Sequence, residues 1–295
     1  MNFGRVLTAM VTPFDQAGNI NYGQTEKLIN YLLSNGTDGL VVNGTTGESP
    51  TLTKEEKLQL IQFVVKTVKG RVPVIAGTGS NNTRESIDLT IQAESIGVDG
   101  IMLVTPYYNK PSQEGMYQHF KTIADETRLP VMLYNIPGRS AVGMTPDTII
   151  RLSEVSNIVS IKEASADLDA MTKIIRDTAE DFTLYSGDDG LTLPVLSIGG
   201  NGVVSVASHI IGNEMQNMVQ SYFAGDGASA ATIHQNILPI MKSLFMAPSP
   251  APVKEALSML GLEVGSVRLP ILPLNKNEKT VLEQTLHYLK KYNVS

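Results

Sequence analysis

The chain contains no cysteine, which excludes disulfides and thiolate metal sites and removes any need for an oxidising compartment. No apolar run approaches the roughly 20 residues that span a bilayer. Lysine and arginine gather along no one stretch and the net charge is -6, so the electrostatic footprint of a phosphate-backbone binder is missing. Met1-Asn2-Phe3-Gly4-Arg5 runs straight into a strand-like segment, without the basic and then apolar stretches of a signal peptide. These absences predict a cytoplasmic protein with no nucleic-acid or membrane partner. Histidine is scarce too: His119, His209, His234 and His287 stand at no metal-ligand spacing and beside no carboxylate pair. No metal site is expected.

What is present is an ordinary globular composition, 42% apolar and 18% charged, in 295 residues. That exceeds the usual domain of roughly 100 to 200 residues, but α/β barrels reach about 250 as one unit. Short β-branched runs recur at intervals with helical stretches between them, the signature of repeated βα units. Eight strands are predicted, over Val6 to Val11, Gly39 to Asn43, Val72 to Gly77, Gly100 to Thr105, Pro130 to Asn135, Ile158 to Lys162, Phe182 to Ser186 and Gly202 to Val206. Their near-continuous apolar character suits parallel strands covered on both faces.

Asn21-x-x-Gln24, Thr53-x-x-Glu56 and Asn82-x-x-Glu85 match the capping box that opens a helix, and Thr145-Pro146 puts proline at a first helical position. Asn35-Gly36 and Ile96-Gly97 punctuate helix ends. The reading is a (β/α)8 TIM barrel over residues 1–224, with an open doubly wound sheet as the structural alternative. Residues 225–295 show helical patterns only, at Ser229 to Phe245, Pro252 to Leu260 and Glu278 to Lys291. They predict a small C-terminal helical extension.

In such a barrel the reactive groups sit at the C-terminal ends of the strands. Lys162 ends the apolar run Ile158-Val159-Ser160-Ile161. To attack a carbonyl its amine must be neutral, so its pKa should fall from about 10.4 toward roughly 7 to 8, which a desolvating barrel mouth can impose. The plainer account is a strand-end lysine that snorkels to water or pairs with Glu163. Tyr134 ends the neighbouring strand, where a phenol can relay protons or simply pack. Thr45 and Thr46 follow Gly44 in a tight turn. Their hydroxyls with the backbone amides make a pocket for a small carboxylate, or just an ordinary turn before a helix. Arg139 lies in the loop beyond Tyr134, where a planar fork suits a substrate carboxylate, although loop arginines are usually surface charges. Gly77-x-Gly79 lacks the third glycine of a dinucleotide fingerprint, and Gly199-Gly200-Asn201-Gly202 precedes a strand rather than following one.

At Gly44-Thr45-Thr46-Gly47-Glu48-Ser49, Val104 to Pro111, Leu133-Tyr134-Asn135-Ile136-Pro137-Gly138-Arg139, Ile161-Lys162-Glu163-Ala164 and Gly202 to Val206, the chain resembles the dihydrodipicolinate synthase and N-acetylneuraminate lyase family. The resemblance runs nearly end to end. It implies a class I lyase that condenses pyruvate with aspartate 4-semialdehyde in diaminopimelate and lysine biosynthesis, with no metal or organic cofactor. By the same resemblance Lys162 forms the imine, Thr46 and the backbone at Val204 hold the pyruvate carboxylate, and Tyr134, Thr45 and Tyr108 make a proton relay. Tyr108 would be supplied by a neighbouring subunit, making a dimer the minimal unit within a homotetramer. Arg139 would bind the carboxylate of the aldehyde substrate.

Sialic acid lyases resemble the chain around Tyr134 but lack that arginine, and usually read Ser-Thr where Thr45-Thr46 stands. A sugar-acid aldolase and a catalytically silent ligand-binding barrel are the alternatives. Many bacterial relatives are inhibited by lysine at a site that matches Ser49, Asn81, Glu85 and Tyr107 here. Lys54 and Lys57 occupy positions that are histidine in lysine-sensitive relatives, which implies weak feedback through like-charge repulsion.

Overall fold

In the computed structural model, which describes residues 3–291, strand and helix alternate and the eight strands close on themselves. The order is β1 (Val6–Ala9), α1 (Tyr22–Ser34), β2 (Gly39–Val42), α2 (Lys54–Val68), β3 (Val74–Gly77), α3 (Thr83–Ile96), β4 (Gly100–Val104) and α4 (Gln113–Asp125). It continues with β5 (Val131–Asn135), a single turn α5 (Pro137–Ser140), α6 (Pro146–Ser153), β6 (Ile158–Glu163), α7 (Leu168–Asp177), β7 (Thr183–Ser186), α8 (Thr192–Ser197), β8 (Gly202–Ser205) and α9 (Ser208–Phe223). Every neighbouring pair is parallel, and β8 returns to β1 with Leu7 opposite Val204. The predicted barrel is therefore present and the open sheet is not. Seven of the predicted strands overran by one or two residues, mostly at ends where the chain turns out of the ladder, and the sixth stopped one residue short of Glu163.

The apolar runs serve two separate cores because successive strand residues face opposite ways. Leu7, Val41, Ile75, Met102, Met132, Tyr134, Tyr185 and Val204 form an inner cluster that fills the barrel. Val6, Leu40, Val42, Val74, Ile101, Leu103, Val131, Leu133, Ile161 and Val203 belong to the outer layer that packs on the helices. This double burial explains why the strands read as continuous hydrophobic runs rather than alternating ones.

The helix starts follow the side chains. Thr53 and Glu56 form the full capping box of α2, with both reciprocal bonds present. At α1 and α3 only half of the motif operates: Asn21 accepts from the Gln24 amide, and Asn82 from the amides of Arg84 and Glu85. Glu85 instead acts electrostatically on Lys57 across the α2–α3 seam. Gly97 closes α3 in the left-handed region, φ +92°.

After the barrel come α10 (Gly227–Ser243), α11 (Ala251–Met259) and α12 (Lys276–Lys291), starting within two residues of the predicted helical patterns. α10 packs on α9 and α12, and α11 on α9 and α12. No helix among the described residues is long and apolar enough to cross a membrane.

Candidate active site

A cavity of about 260 Å³ opens at the C-terminal ends of β2 to β5, the face where barrel chemistry is carried. It is lined by Thr45, Tyr134, Arg139, Lys57, Asn43 and Ser80, among others. Two cations and, among the described residues, no carboxylate line it, a balance that favours an anionic occupant.

Lys162 stands one strand beyond this lining. It is the register partner of Tyr134 across β5 and β6, and its Nζ lies 4.0 Å from the centre of the Tyr134 ring. The residue is 6% exposed, so the amine is withdrawn from water and faces the negative π-surface of an aromatic ring. It does not pair with Glu163. Adjacent residues on a strand point to opposite faces. The Glu163 carboxylate accepts from Asn135 Nδ2 at 2.9 Å and the Ser165 amide at 2.8 Å, and its burial pushes its pKa up. Gly187, after β7, makes room for the lysine: a Cβ there would come within 3.2 Å of Lys162 Cε and 2.6 Å of the Ala164 methyl.

The turn after β2 is tightly bonded. The Gly47 amide donates to the Gly44 carbonyl at 3.1 Å, the Glu48 amide to the Thr45 carbonyl at 3.0 Å, and Thr12 Oγ1 to the Gly47 carbonyl at 2.7 Å. Thr45 is half-buried and faces the cavity, while Thr46 is buried in the same turn and does not line it. Asn43 and Glu48, which bracket the turn, both have positive φ, +58° and +56°. Asn43 Nδ2 donates to the Lys57 carbonyl at 3.1 Å, and its buried Oδ1 has no partner among the described residues. Gly77 of β3 supports this bend, since a Cβ there would stand 2.4 Å from the Asn43 carbonyl oxygen. Close backbone approach, not nucleotide binding, accounts for the first glycine of Gly77-x-Gly79.

Arg139 sits on the single-turn α5, which Pro137 opens. It is exposed, lines the cavity and has no ion-pair partner among the described residues. Val204 lies on β8 inside the barrel, in the apolar cluster that also contains Tyr134. Tyr108 is not brought to this site: it is 88% exposed on a strained backbone, φ +72°. Its neighbour Tyr107 lines the cavity instead, with its carbonyl held by Asn81 Nδ2 at 3.1 Å.

A second cavity of about 310 Å³ lies behind the first and shares Ser49, Lys57, Gly77, Gly79 and Ser80 with it. Lys54, Thr78, Glu85 and Asp88 complete its polar lining. Lys54 is ion-paired with Asp88, and burial pushes the Lys57 amine down while Glu85 opposes that shift. Of the two expected cations, one is thus already ion-paired. Of the residues grouped with them, Ser49 and Glu85 line this second cavity and Asn81 and Tyr107 do not.

Sequence reasoning gave no role to Lys57 in the first cavity, to Gly187, or to the residues that clamp Glu48. Lys254 is the readable signal among these, a lysine that with Glu255 interrupts the otherwise apolar stretch Ala251 to Leu257. A lysine is rarely buried without a partner or a task.

The model of the dihydrodipicolinate synthetase family matches residues 2–289, and the chain belongs to that family. It is 65% identical over 289 residues to 4-hydroxy-tetrahydrodipicolinate synthase of Bacillus velezensis, covering 98% of this chain and all of the relative. The crystal structure of a dihydrodipicolinate synthase from Bacillus anthracis superposes with a TM-score of 0.96 at 61% identity, over 97% of this chain and 98% of that one. The crystal structure of DHDPS from Cyanidioschyzon merolae with lysine bound gives a TM-score of 0.96 at 47% identity, over 98% of each chain.

Proposed function

We propose that the chain condenses pyruvate with L-aspartate 4-semialdehyde through a Schiff base at Lys162, giving 4-hydroxy-tetrahydrodipicolinate, the product for which its relatives are named. The observation that carries this reading is the Lys162–Tyr134 pair: a water-excluded amine beside a phenol at the rim of a cation-lined cavity.

The Lys162 amine adds to the C2 carbonyl of pyruvate, and the carbinolamine loses water to give an imine. The imine withdraws electrons, so the pyruvate methyl releases a proton and becomes an enamine carbon nucleophile. That carbon attacks the aldehyde, and the resulting alkoxide takes up a proton. The amino group of the second substrate then adds to the imine carbon and expels Lys162, closing the ring and regenerating the free amine. Tyr134 and Thr45, which border the same cavity, move the protons. Thr46 and the backbone at Val204 hold the pyruvate carboxylate, and the unpaired Arg139 guanidinium receives that of the aldehyde.

Tyr108 completes the relay in the site of a neighbouring subunit, with a dimer as the minimal unit and a dimer of dimers as the assembly. Its near-complete exposure and positive φ support this assignment: a strained, solvent-facing aromatic is a liability in a lone chain and an asset at an interface.

The test follows pyruvate consumption by purified protein with aspartate semialdehyde, against N-acetylmannosamine and glyceraldehyde as competing acceptors. Rapid loss only with aspartate semialdehyde supports the reading. Preference for a sugar aldehyde moves the chain to the aldolase branch, and no consumption with any acceptor revives a binding-only barrel.

A further inference from the structure

The turn that carries Thr45 and Thr46 is held from the far end of the chain. Glu48, in that turn, forms an ion pair with Lys254 of α11, Nζ to Oε1 2.6 Å, and the two side chains are 1% and 2% exposed. The other carboxylate oxygen accepts from the Arg268 amide at 2.8 Å. Lys254 also donates to the Ser266 carbonyl at 2.8 Å and sits 4.1 Å from the centre of the Phe14 ring. The Arg268 guanidinium donates to the carbonyls of Gly18 and Thr51 and to the Glu56 carboxylate, and so ties the start of α2 to the same point. Through its own amide Glu48 reaches the Thr45 carbonyl at 3.0 Å.

A buried ion pair is a poor source of stability, because desolvation roughly offsets the attraction, but separating its members leaves uncompensated buried charge, so the two side chains are held together. Glu48 moreover holds a left-handed backbone that strains any residue with a Cβ. Such strain persists only where the surroundings over-determine it, and here the surroundings are Lys254 and Arg268.

We propose that the Glu48–Lys254 pair is a positioning device for the reaction, by which α11 holds the Thr45–Thr46 turn in the shape that receives pyruvate. The inference rests on the Schiff-base reading of the site. Lys254 is a positioning residue and touches no substrate: its effect passes through Glu48 to the Thr45 carbonyl and, with it, to the threonine hydroxyls.

The experiment uses the full chain and reads the pyruvate concentration for half-maximal borohydride trapping, the KM for aspartate semialdehyde and the thermal midpoint. K254M is expected to raise the half-trapping pyruvate concentration at least about fivefold while the aldehyde KM moves less than about twofold, and K254R to restore pyruvate affinity. If K254M does not fold, the E48Q/K254M pair, which leaves no unpaired buried charge, is read in the same way. Wild-type trapping with an unmoved K254M half-saturation and a lowered thermal midpoint overturns the inference alone and leaves the pair a structural contact. Wild-type protein that traps no pyruvate overturns the Schiff-base reading and the inference with it.

Discussion

Lys162 and Tyr134 face each other across two adjacent parallel strands, paired in register at their Cα atoms and with Nζ 4.0 Å from the ring centre. The backbone ladder therefore fixes their separation, and neither side chain depends on a flexible loop. K162A should abolish borohydride-trapped pyruvate. Y134F keeps the ring face but loses the hydroxyl, so trapping should survive while turnover falls by about 10² or more. R139A should leave trapping intact and raise the KM for the aldehyde about tenfold or more. Peptide mass spectrometry of the reduced adduct and steady-state kinetics check these outcomes.

Gly187 supplies the space that Lys162 Cε occupies. G187A would bring a methyl to 2.6 Å from the Ala164 Cβ, closer than real contacts allow without displacement, and to a tight 3.2 Å from the lysine Cε. Imine formation should slow by about tenfold, since small misplacements of a reacting group are costly, while the circular dichroism spectrum stays that of the wild type. Unchanged trapping kinetics would show that Gly187 does not position Lys162.

His209 gives the fold a defined acid limit. Its Nδ1 lies 2.8 Å from the Val206 carbonyl, to which it donates, and its Nε2 accepts from the Val11 amide at 3.2 Å, so both nitrogens are satisfied only in the neutral ring. Burial pushes its pKa from 6.5 to about 4. Between those values the unfolded chain takes up a proton that the folded chain refuses, so stability is full above pH 6.5 and is lost as pH falls toward 4. Buried Glu163 and Asp189 have raised pKa values and titrate in the opposite sense, so the contribution is read as a difference. From pH 7 to 4.5 the wild type should lose about 2 kcal/mol more unfolding free energy than H209Q. Denaturant melts at the two pH values decide it.

Lysine should act weakly on this chain. With Lys54 held by Asp88, the remaining like charge in the second cavity is Lys57, which also lines the first. The Lys54–Asp88 pair is about half exposed on both sides, so it screens rather than cancels. Initial rates in millimolar lysine should stay within about twofold of the control. Strong suppression would show that Glu85 outweighs Lys57.

The barrel was legible because each strand is buried on both faces and several helix starts carry their own side-chain signal, as at Thr53 and Glu56. Strand ends were not, because Met10 and Val11 continue the apolar run after β1 has ended at Ala9, and Val206 does the same after Ser205 of β8. The candidate site was legible where chemistry and strand position coincide, at Lys162 and Tyr134. Tyr108 shows the limit: that it turns away from its own chain's cavity is implied by the family resemblance alone and by no local pattern. Lys254 stands out locally as a charge in an apolar stretch, but its pairing with Glu48, like that of Arg268, is not legible because Glu48 lies more than 200 positions away, and no local pattern announces a contact of that span.

That separation sets an order of events during synthesis. Glu48 leaves the ribosome long before Arg268, 220 residues later, and at the usual 5 to 20 residues per second the interval is about 10 to 40 seconds. Throughout it the left-handed turn has no clamp, and β1 waits similarly for Val203 of β8. A ribosome stalled before residue 254 would hold a chain that already contains Lys162 and Tyr134 but has no means of locking the turn.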